Sequence, residues 1–284
     1  MTNVLILGST GMLGSIMLKH LARDAKFNAI ATSRLPPHTT GASGHKTLHL
    51  DAVDIKTVSA AMQASAPKWV INCIGAVKQL AAANQPVSAI TLNALFPHQV
   101  ADIASQYGAN VLHFSTDCVF SGTRGMYAES DLPDATDLYG RSKLLGELTE
   151  PNCLTLRTSM IGPEIQNNHS LLEWYLSQTS DVKGYRRAIF SGLTTFELGK
   201  LAAMLIHQDT TLRGVYHVAA EPIDKFTLLS LIRNTYGMGA NIVPDDVVAI
   251  NRSLDGSRFQ QATGYKPPSW PKMISDMRAN DDRR

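Results

Sequence analysis

Tyr139 and Lys143 stand four residues apart in the run Tyr139-Gly140-Arg141-Ser142-Lys143. On a helix, positions i and i+4 share a face. An ammonium beside a phenol favours the phenolate and draws its pKa down from about 10. A tyrosine so placed can give or take a proton near neutral pH. The spacing alone is weak, since chance supplies it in chains of this size. Its surroundings strengthen it. Ser115-Thr116-Asp117 closes an apolar run, and the Thr116 hydroxyl is expected to hold a carbonyl oxygen beside Tyr139. Asn72 closes another apolar run near the same edge. The plain structural alternatives are a turn role for Thr116 and an exposed helix charge for Lys143.

A second chemical signal lies at the start of the chain. Gly8-Ser9-Thr10-Gly11-Met12-Leu13-Gly14 follows the apolar run Val4-Leu5-Ile6-Leu7 directly and opens a helical pattern. In that setting Gly8 permits a tight turn, Gly11 lets the backbone approach a pyrophosphate, and Gly14 lets helix and sheet pack closely. The helix N-terminus adds free N–H groups and the positive end of a dipole. We therefore expect a dinucleotide on Gly8, Thr10, Gly11, Met12, Leu13 and Gly14. An NAD site places an acid at the end of the second strand, to meet the ribose 2′-hydroxyl. Here that strand ends Thr32-Ser33-Arg34, so Ser33 and Arg34 are expected to take a 2′-phosphate, favouring NADPH, with NADH as the alternative. Asp51, with Ala52, is placed to meet the adenine edge, or Asp51 caps the next helix. Cys73, Ile74 and Gly75, just beyond Asn72, complete the expected cofactor contacts.

These groups need elements to hold them. Apolar runs at 4–7, 28–33, 47–50, 69–74, 110–115 and 153–157 read as strands. Between them 12–23, 55–64, 90–107 and 138–150 read as helices, with Pro97 expected to kink the third. Continuous apolar strands alternating with helices imply a doubly wound parallel α/β sheet, a Rossmann fold, with its ligand beyond the carboxyl ends of the strands. After Arg157 the pattern loosens. Helices are expected at 170–177, 194–207 and 225–236, a strand at 214–219, then a looser stretch containing Pro244, Pro267, Pro268 and Pro271. The expected division is a dinucleotide-binding domain of 1–157 plus about 190–219, with a smaller, discontinuous α/β substrate lobe of about 158–189 and 220–284.

Together these residues resemble the extended short-chain dehydrogenase/reductase superfamily, and within it the dTDP-4-dehydrorhamnose reductase branch. Ser115-Thr116-Asp117-Cys118-Val119-Phe120-Ser121-Gly122 is similar to that branch's S-T-D-Y-V-F-x-G segment. Tyr127-Ala128-Glu129-Ser130-Asp131, then Tyr139 to Lys143 and Gly146-Glu147, resembles its Y-x-E-x-D…Y-G-x-S-K-x-x-G-E run. Leu156-Arg157-Thr158-Ser159 is similar to its L-R-T-S strand. The resemblance implies hydride transfer from NADPH to the keto carbon of a nucleotide-linked sugar. It implies Tyr139 as proton donor, Lys143 as its tuning charge and nicotinamide-ribose contact, and Thr116 on the carbonyl oxygen. It places Asp117, Cys118, Ser159 and Met160 at the sugar. Cys118 stands where the branch has tyrosine, Met160 where an aromatic follows R-T-S, and 72–79 departs from the branch's N-x-x-A-Y-T run. The sugar is therefore open among keto-deoxy sugars on dTDP, UDP or GDP. Arg187 or Arg258 is expected to meet the diphosphate, each being otherwise a solvated charge. Glu173-Trp174-Tyr175 reads as lobe packing rather than a base-stacking site. The resemblance also admits a homodimer through 90–107 and 138–150.

Composition bounds the rest. The 284 residues are 44% hydrophobic and 18% charged, which excludes fibrous and disordered classes. Net charge of +2 gives no electrostatic footprint for nucleic acid or for a membrane surface. No apolar run approaches the roughly 18 residues of a membrane span. Cys73, Cys118 and Cys153 fit neither a disulfide framework nor a zinc site, so a reducing cytoplasm and no metal are expected. Two other functions stand beside the reductase. One is an NAD-dependent epimerase or dehydratase on the same scaffold. The other is a non-catalytic dinucleotide-binding subunit, since the branch also holds a regulator of methionine adenosyltransferase.

Overall fold

The computed structural model describes residues 1–35, 45–76, 85–165 and 170–281. They form two compact units. The first comprises Met1–Ser115, Asp137–Leu156 and Gly199–Val215; the second comprises Thr116–Thr136, Arg157–Leu198 and Tyr216–Arg284. Relative to the sequence reading, 116–136, 157, 190–198 and 216–219 fall in the second unit, while 199–215 stays with the first.

The strands are β1 (Thr2–Leu7), β2 (Phe27–Ser33), β3 (Thr47–His49), β4 (Trp69–Asn72), β5 (Asn110–Thr116), β6 (Cys153–Thr158), β7 (Met160–Ile161), β8 (Val182–Phe190), β9 (Leu193–Thr194), β10 (Gly214–His217), β11 (Ile223–Asp224) and β12 (Ile242–Asn251). The helices are α1 (Met12–Ala22), α2 (Ile55–Ser65), α3 (Pro86–Ala89), α4 (Phe96–Gln106), α5 (Leu138–Leu145), α6 (Leu171–Leu176), α7 (Thr195–His207), α8 (Lys225–Tyr236), α9 (Ser257–Thr263) and α10 (Trp270–Ala279).

Seven strands form one sheet in the order β10-β6-β5-β4-β1-β2-β3. β1 lies between β2 and β4, parallel to both, with Leu5 opposite Ile30 and Val70. The order reverses at β1, so the open crevice lies past its carboxyl end, beside the glycine turn. The strands read as apolar runs because they are covered: Val4 to Leu7 and Trp69 to Ile71 are fully buried. In the first unit Leu5, Leu7, Ile30, Val58, Val70, Phe96, Val100 and Val111 share one core. The caps follow local chemistry. Asp54 accepts from Lys56 N to start α2, and Asp137 accepts from Gly140 N to start α5.

Two expected helices differ. The stretch read as one helix over 90–107 is α3, then a π-helical turn over Ile90–Leu95, then α4. Pro97 lacks the N–H that would bond the Asn93 carbonyl, and the widened turn precedes it. The helix expected over 138–150 ends at Leu145, because Gly146 closes against the Asn93 backbone. A Cβ on Gly146 would lie 2.9 Å from Asn93 C.

In the second unit β8 lies between β11 and β12, and β8–β12 is parallel. Neither β8 nor β12 was expected. β8 carries Lys183, Arg186 and Arg187, and β12 is mostly exposed, so neither shows a clean apolar alternation. Pro244 is accommodated because β12 is an edge strand. Tyr175 is fully buried with its hydroxyl donating to Ala240 O, in keeping with a packing role for 173–175.

Candidate active site

The glycine turn is assembled by its own backbone and by β2. Gly8 has φ +76°, a left-handed conformation that glycine adopts without strain. Its N–H donates to Thr32 Oγ1, Thr32 Oγ1 donates to Ile6 O, and Ser9 Oγ donates to Thr32 O. Gly11 N–H donates to Gly8 O, closing the turn. A Cβ on Gly14 would lie 2.7 Å from Gly8 C, so this glycine is required by packing. Gly11 is different. Its φ is −82°, and a Cβ there would meet only Gly8 O, at 3.4 Å. Among the described residues nothing demands glycine at 11. The residue is exposed and begins α1 with no side-chain cap, so the amides of Met12, Leu13 and Gly14 open the helix unblocked. A helix N-terminus presented in this way suits a pyrophosphate.

Other expected cofactor groups lie at strand ends. Ser33 is buried, its Oγ accepting from Leu35 N, while Arg34 is exposed just past β2. Asp51 follows β3, and its carboxylate accepts from Val53 N. The helix cap is Asp54, which corrects the capping alternative for Asp51. Ala52 is buried. The segment after β4 is held on three sides. Asn72 Oδ1 accepts from Ile74 N, and Ile74 Cγ1 would lie 2.9 Å from a Cβ on Gly8. Cys73 N donates to Leu7 O. Asn93, from the π-turn, accepts from Ala76 N at 2.8 Å, and its amide donates to Ala76 O and Ser142 Oγ. Asn93 was not anticipated, because its role depends on a π-turn that periodicity does not reveal. Of the departing segment 72–79, residues 77–79 lie outside those described.

Lys143 lies under this segment, 7% exposed. Its Nζ donates to Phe114 O at 2.7 Å, and a Cβ on Gly75 would lie 4.0 Å from that Nζ. Burial lowers its pKa from 10.5 to about 8, against the raising effect of Glu147. The exposed-charge alternative for Lys143 is thereby corrected. Tyr139 is half-buried, one turn earlier on α5. Ser142 Oγ donates to Tyr139 O, tying this turn of α5 to Asn93. Burial pushes the Cys73 thiol up and, with the Lys143 ammonium, pushes His113 down, so both are neutral neighbours.

The remaining expected residues fall in the second unit. Thr116 accepts from Cys118 N at 3.1 Å, and its Oγ1 donates to Asp117 Oδ1 at 3.2 Å. Asp117 is buried, and burial raises its pKa against the opposing pull of Arg252 and hydrogen bonds from Cys118, Ser159 and Thr116. So Asp117, Cys118 and Ser159 come together around Thr116. Met160 pairs with Leu193 between β7 and β9. Lys225 and Arg252 belong to the same electrostatic group, and burial lowers the Lys225 pKa. Their sequence positions carry no motif, so tertiary contact alone reveals them. Arg187 lines a cavity of about 630 Å³ with Arg186, Ser121, Thr123 and Asn251. Arg258 is engaged elsewhere, 3.8 Å from Glu129 and stacked over Tyr216, which weakens its assignment to a diphosphate.

A cradle for a dinucleotide leads, within one unit, to a buried lysine one turn from a tyrosine. The RmlD substrate binding domain family matches residues 1–281. The chain belongs to this family. Among its relatives, dTDP-4-dehydrorhamnose reductase of Aggregatibacter actinomycetemcomitans is 26% identical over 98% of this chain and 99% of that protein. Methionine adenosyltransferase 2 subunit beta of Xenopus tropicalis is 31% identical, over 50% of this chain and 41% of that protein. The crystal structure of dTDP-4-dehydrorhamnose reductase from Bacillus anthracis, in complex with NADP, superposes with a TM-score of 0.78. It is 22% identical and covers 98% of this chain and 99% of that one, a likeness of fold.

Proposed function

We propose that this RmlD-family protein is an NADPH-dependent reductase of a keto-deoxy nucleotide sugar, with Tyr139 as proton donor. The observation that carries the reading is the buried Lys143 ammonium, beside the Gly75 backbone and four residues from Tyr139 on α5. A relative that is a dTDP-4-dehydrorhamnose reductase, matched over 98% of this chain, supports the substrate class. Gly8, Thr10, Gly11 and the first-turn amides of α1 would hold the pyrophosphate, Ser33 and Arg34 the 2′-phosphate, Asp51 and Ala52 the adenosine, and 73–75 the nicotinamide side. When bound, the reduced nicotinamide supplies the hydride. Tyr139 gives its phenolic proton to the oxygen of the reduced carbon, and Lys143 stabilises the negative charge left on Tyr139. Thr116 orients the carbonyl oxygen. Asp117, Cys118, Ser159 and Met160 shape the sugar subsite, and Arg187 with the hydroxyls of its cavity meets the diphosphate. Surface-polysaccharide precursors in a reducing cytoplasm are the setting that this chemistry suits.

The test follows NADPH absorbance with purified protein and 4-keto-6-deoxy sugars on dTDP, UDP and GDP. Consumption that requires one sugar and collapses in Tyr139→Phe is expected. Cofactor binding without consumption across the panel overturns the reductase reading. It would favour a regulatory subunit, the reading that the partial similarity to methionine adenosyltransferase 2 subunit beta supports.

A further inference from the structure

Lys143 poses an electrostatic problem. It is 7% exposed, yet its chemistry requires the charged form. Burying an ammonium without compensation drives it toward neutrality. The Phe114 carbonyl, which accepts from Nζ at 2.7 Å, is a dipole and carries no net charge. From the end of β4, Cys73 faces Lys143 as a neutral thiol, and from β5, His113 faces it as a neutral imidazole. Tyr139 precedes it by one turn on α5 and brings a half-buried phenol rather than a carboxylate. Glu147 remains. It lies four residues after Lys143, just past the end of α5, where Gly146 N donates to Lys143 O and Glu147 N donates to Leu144 O. Its carboxylate is tethered, because Ser115 Oγ donates to Glu147 Oε1 at 2.6 Å. Ser115 directly follows Phe114, so adjacent residues of β5 hold the lysine through a carbonyl and its counter-charge through a hydroxyl.

We propose that Glu147, anchored by Ser115, is a positioning residue that keeps the Lys143 ammonium charged at neutral pH. The consequence for catalysis rests on the reductase reading above. A dinucleotide laid over Gly75 would remove still more water from Lys143, so the carboxylate matters most when the site is filled.

The test uses the full chain without cofactor, labelled with 13C and 15N at lysine. The Lys143 signal is identified by its loss in Lys143→Met and titrated by NMR. In the wild type a midpoint near 8 is expected. In Glu147→Gln it should fall by about one pH unit or more, a tenfold or greater loss of proton affinity. Ser115→Ala should give a smaller fall, and Glu147→Asp should recover part of it. If Glu147→Gln does not fold, Ser115→Ala and Glu147→Asp decide. An unmoved midpoint in these variants, or a wild-type midpoint at the ordinary lysine value, overturns the proposal. In the loaded enzyme, the alkaline limb of the kcat pH profile should move down with the midpoint. Turnover with an unmoved midpoint overturns the proposal and leaves the reductase reading intact. A shifted midpoint without turnover on any sugar does the reverse.

Discussion

Replacing Lys143 by methionine should stabilise the protein at pH 7 and destabilise it at high pH. The side chain is buried, and its pKa falls from 10.5 to about 8 on folding. Each tenfold change in proton affinity is about 1.4 kcal/mol, so keeping the proton in the folded state costs about 3 kcal/mol below pH 8. The sign follows from proton counting. Between pH 8 and 10.5 the unfolded chain binds more protons than the folded one, so wild-type stability rises with pH across that window. Methionine removes the titration but also removes the donor to Phe114 O, a loss of about 1–2 kcal/mol. The variant should therefore be about 1–2 kcal/mol more stable than wild type at pH 7, and less stable by a similar amount near pH 10.5. Urea unfolding of both proteins at pH 7, 8, 9 and 10 measures this, and groups common to both cancel in the difference. Stability differences that run parallel across this range would refute the reasoning. Catalysis should vanish in the variant at every pH, placing Lys143 where function opposes stability.

Further outcomes follow from the same geometry. Gly14→Ala forces a Cβ into the Gly8 backbone and should lower stability by about 1–3 kcal/mol or more in thermal melts. Gly11→Ala meets only Gly8 O at 3.4 Å and should change unliganded stability by less than about 1 kcal/mol, while weakening NADPH at least about tenfold in calorimetry. Equal effects on stability from the two would deny Gly11 a ligand role. Tyr139→Phe should cut kcat by about 10²-fold or more with cofactor Kd changed little, read by steady-state kinetics and fluorescence titration. Arg34→Ala should weaken NADPH more than NADH, and equal losses would remove Arg34 from the 2′-phosphate.

Much of this protein can be read without coordinates, and the reason is locality. The glycine turn, β1 and α1 lie within one short stretch, where conformation follows from which residues tolerate a positive φ and which side chains are apolar. The Tyr139–Lys143 spacing is likewise local, and Asp137 marks where α5 begins. Other features depend on residues far apart in the chain. β8 and β12 are too charged and too exposed to announce themselves, and each becomes a strand by pairing with the other about 60 residues away. Asn93 gains its role only when a widened turn aims it at Ala76 and Ser142. Sequence alone therefore determined the doubly wound sheet, the glycine turn that opens α1 and the four-residue spacing of Tyr139 and Lys143 on α5, because each is written in short-range periodicity and glycine placement. Tertiary structure decided that Lys143 is buried against the Phe114 carbonyl, that Glu147 is tethered by Ser115, and that Lys225 and Arg252 join Asp117. Burial and electrostatics are properties of the folded surroundings rather than of spacing along the chain.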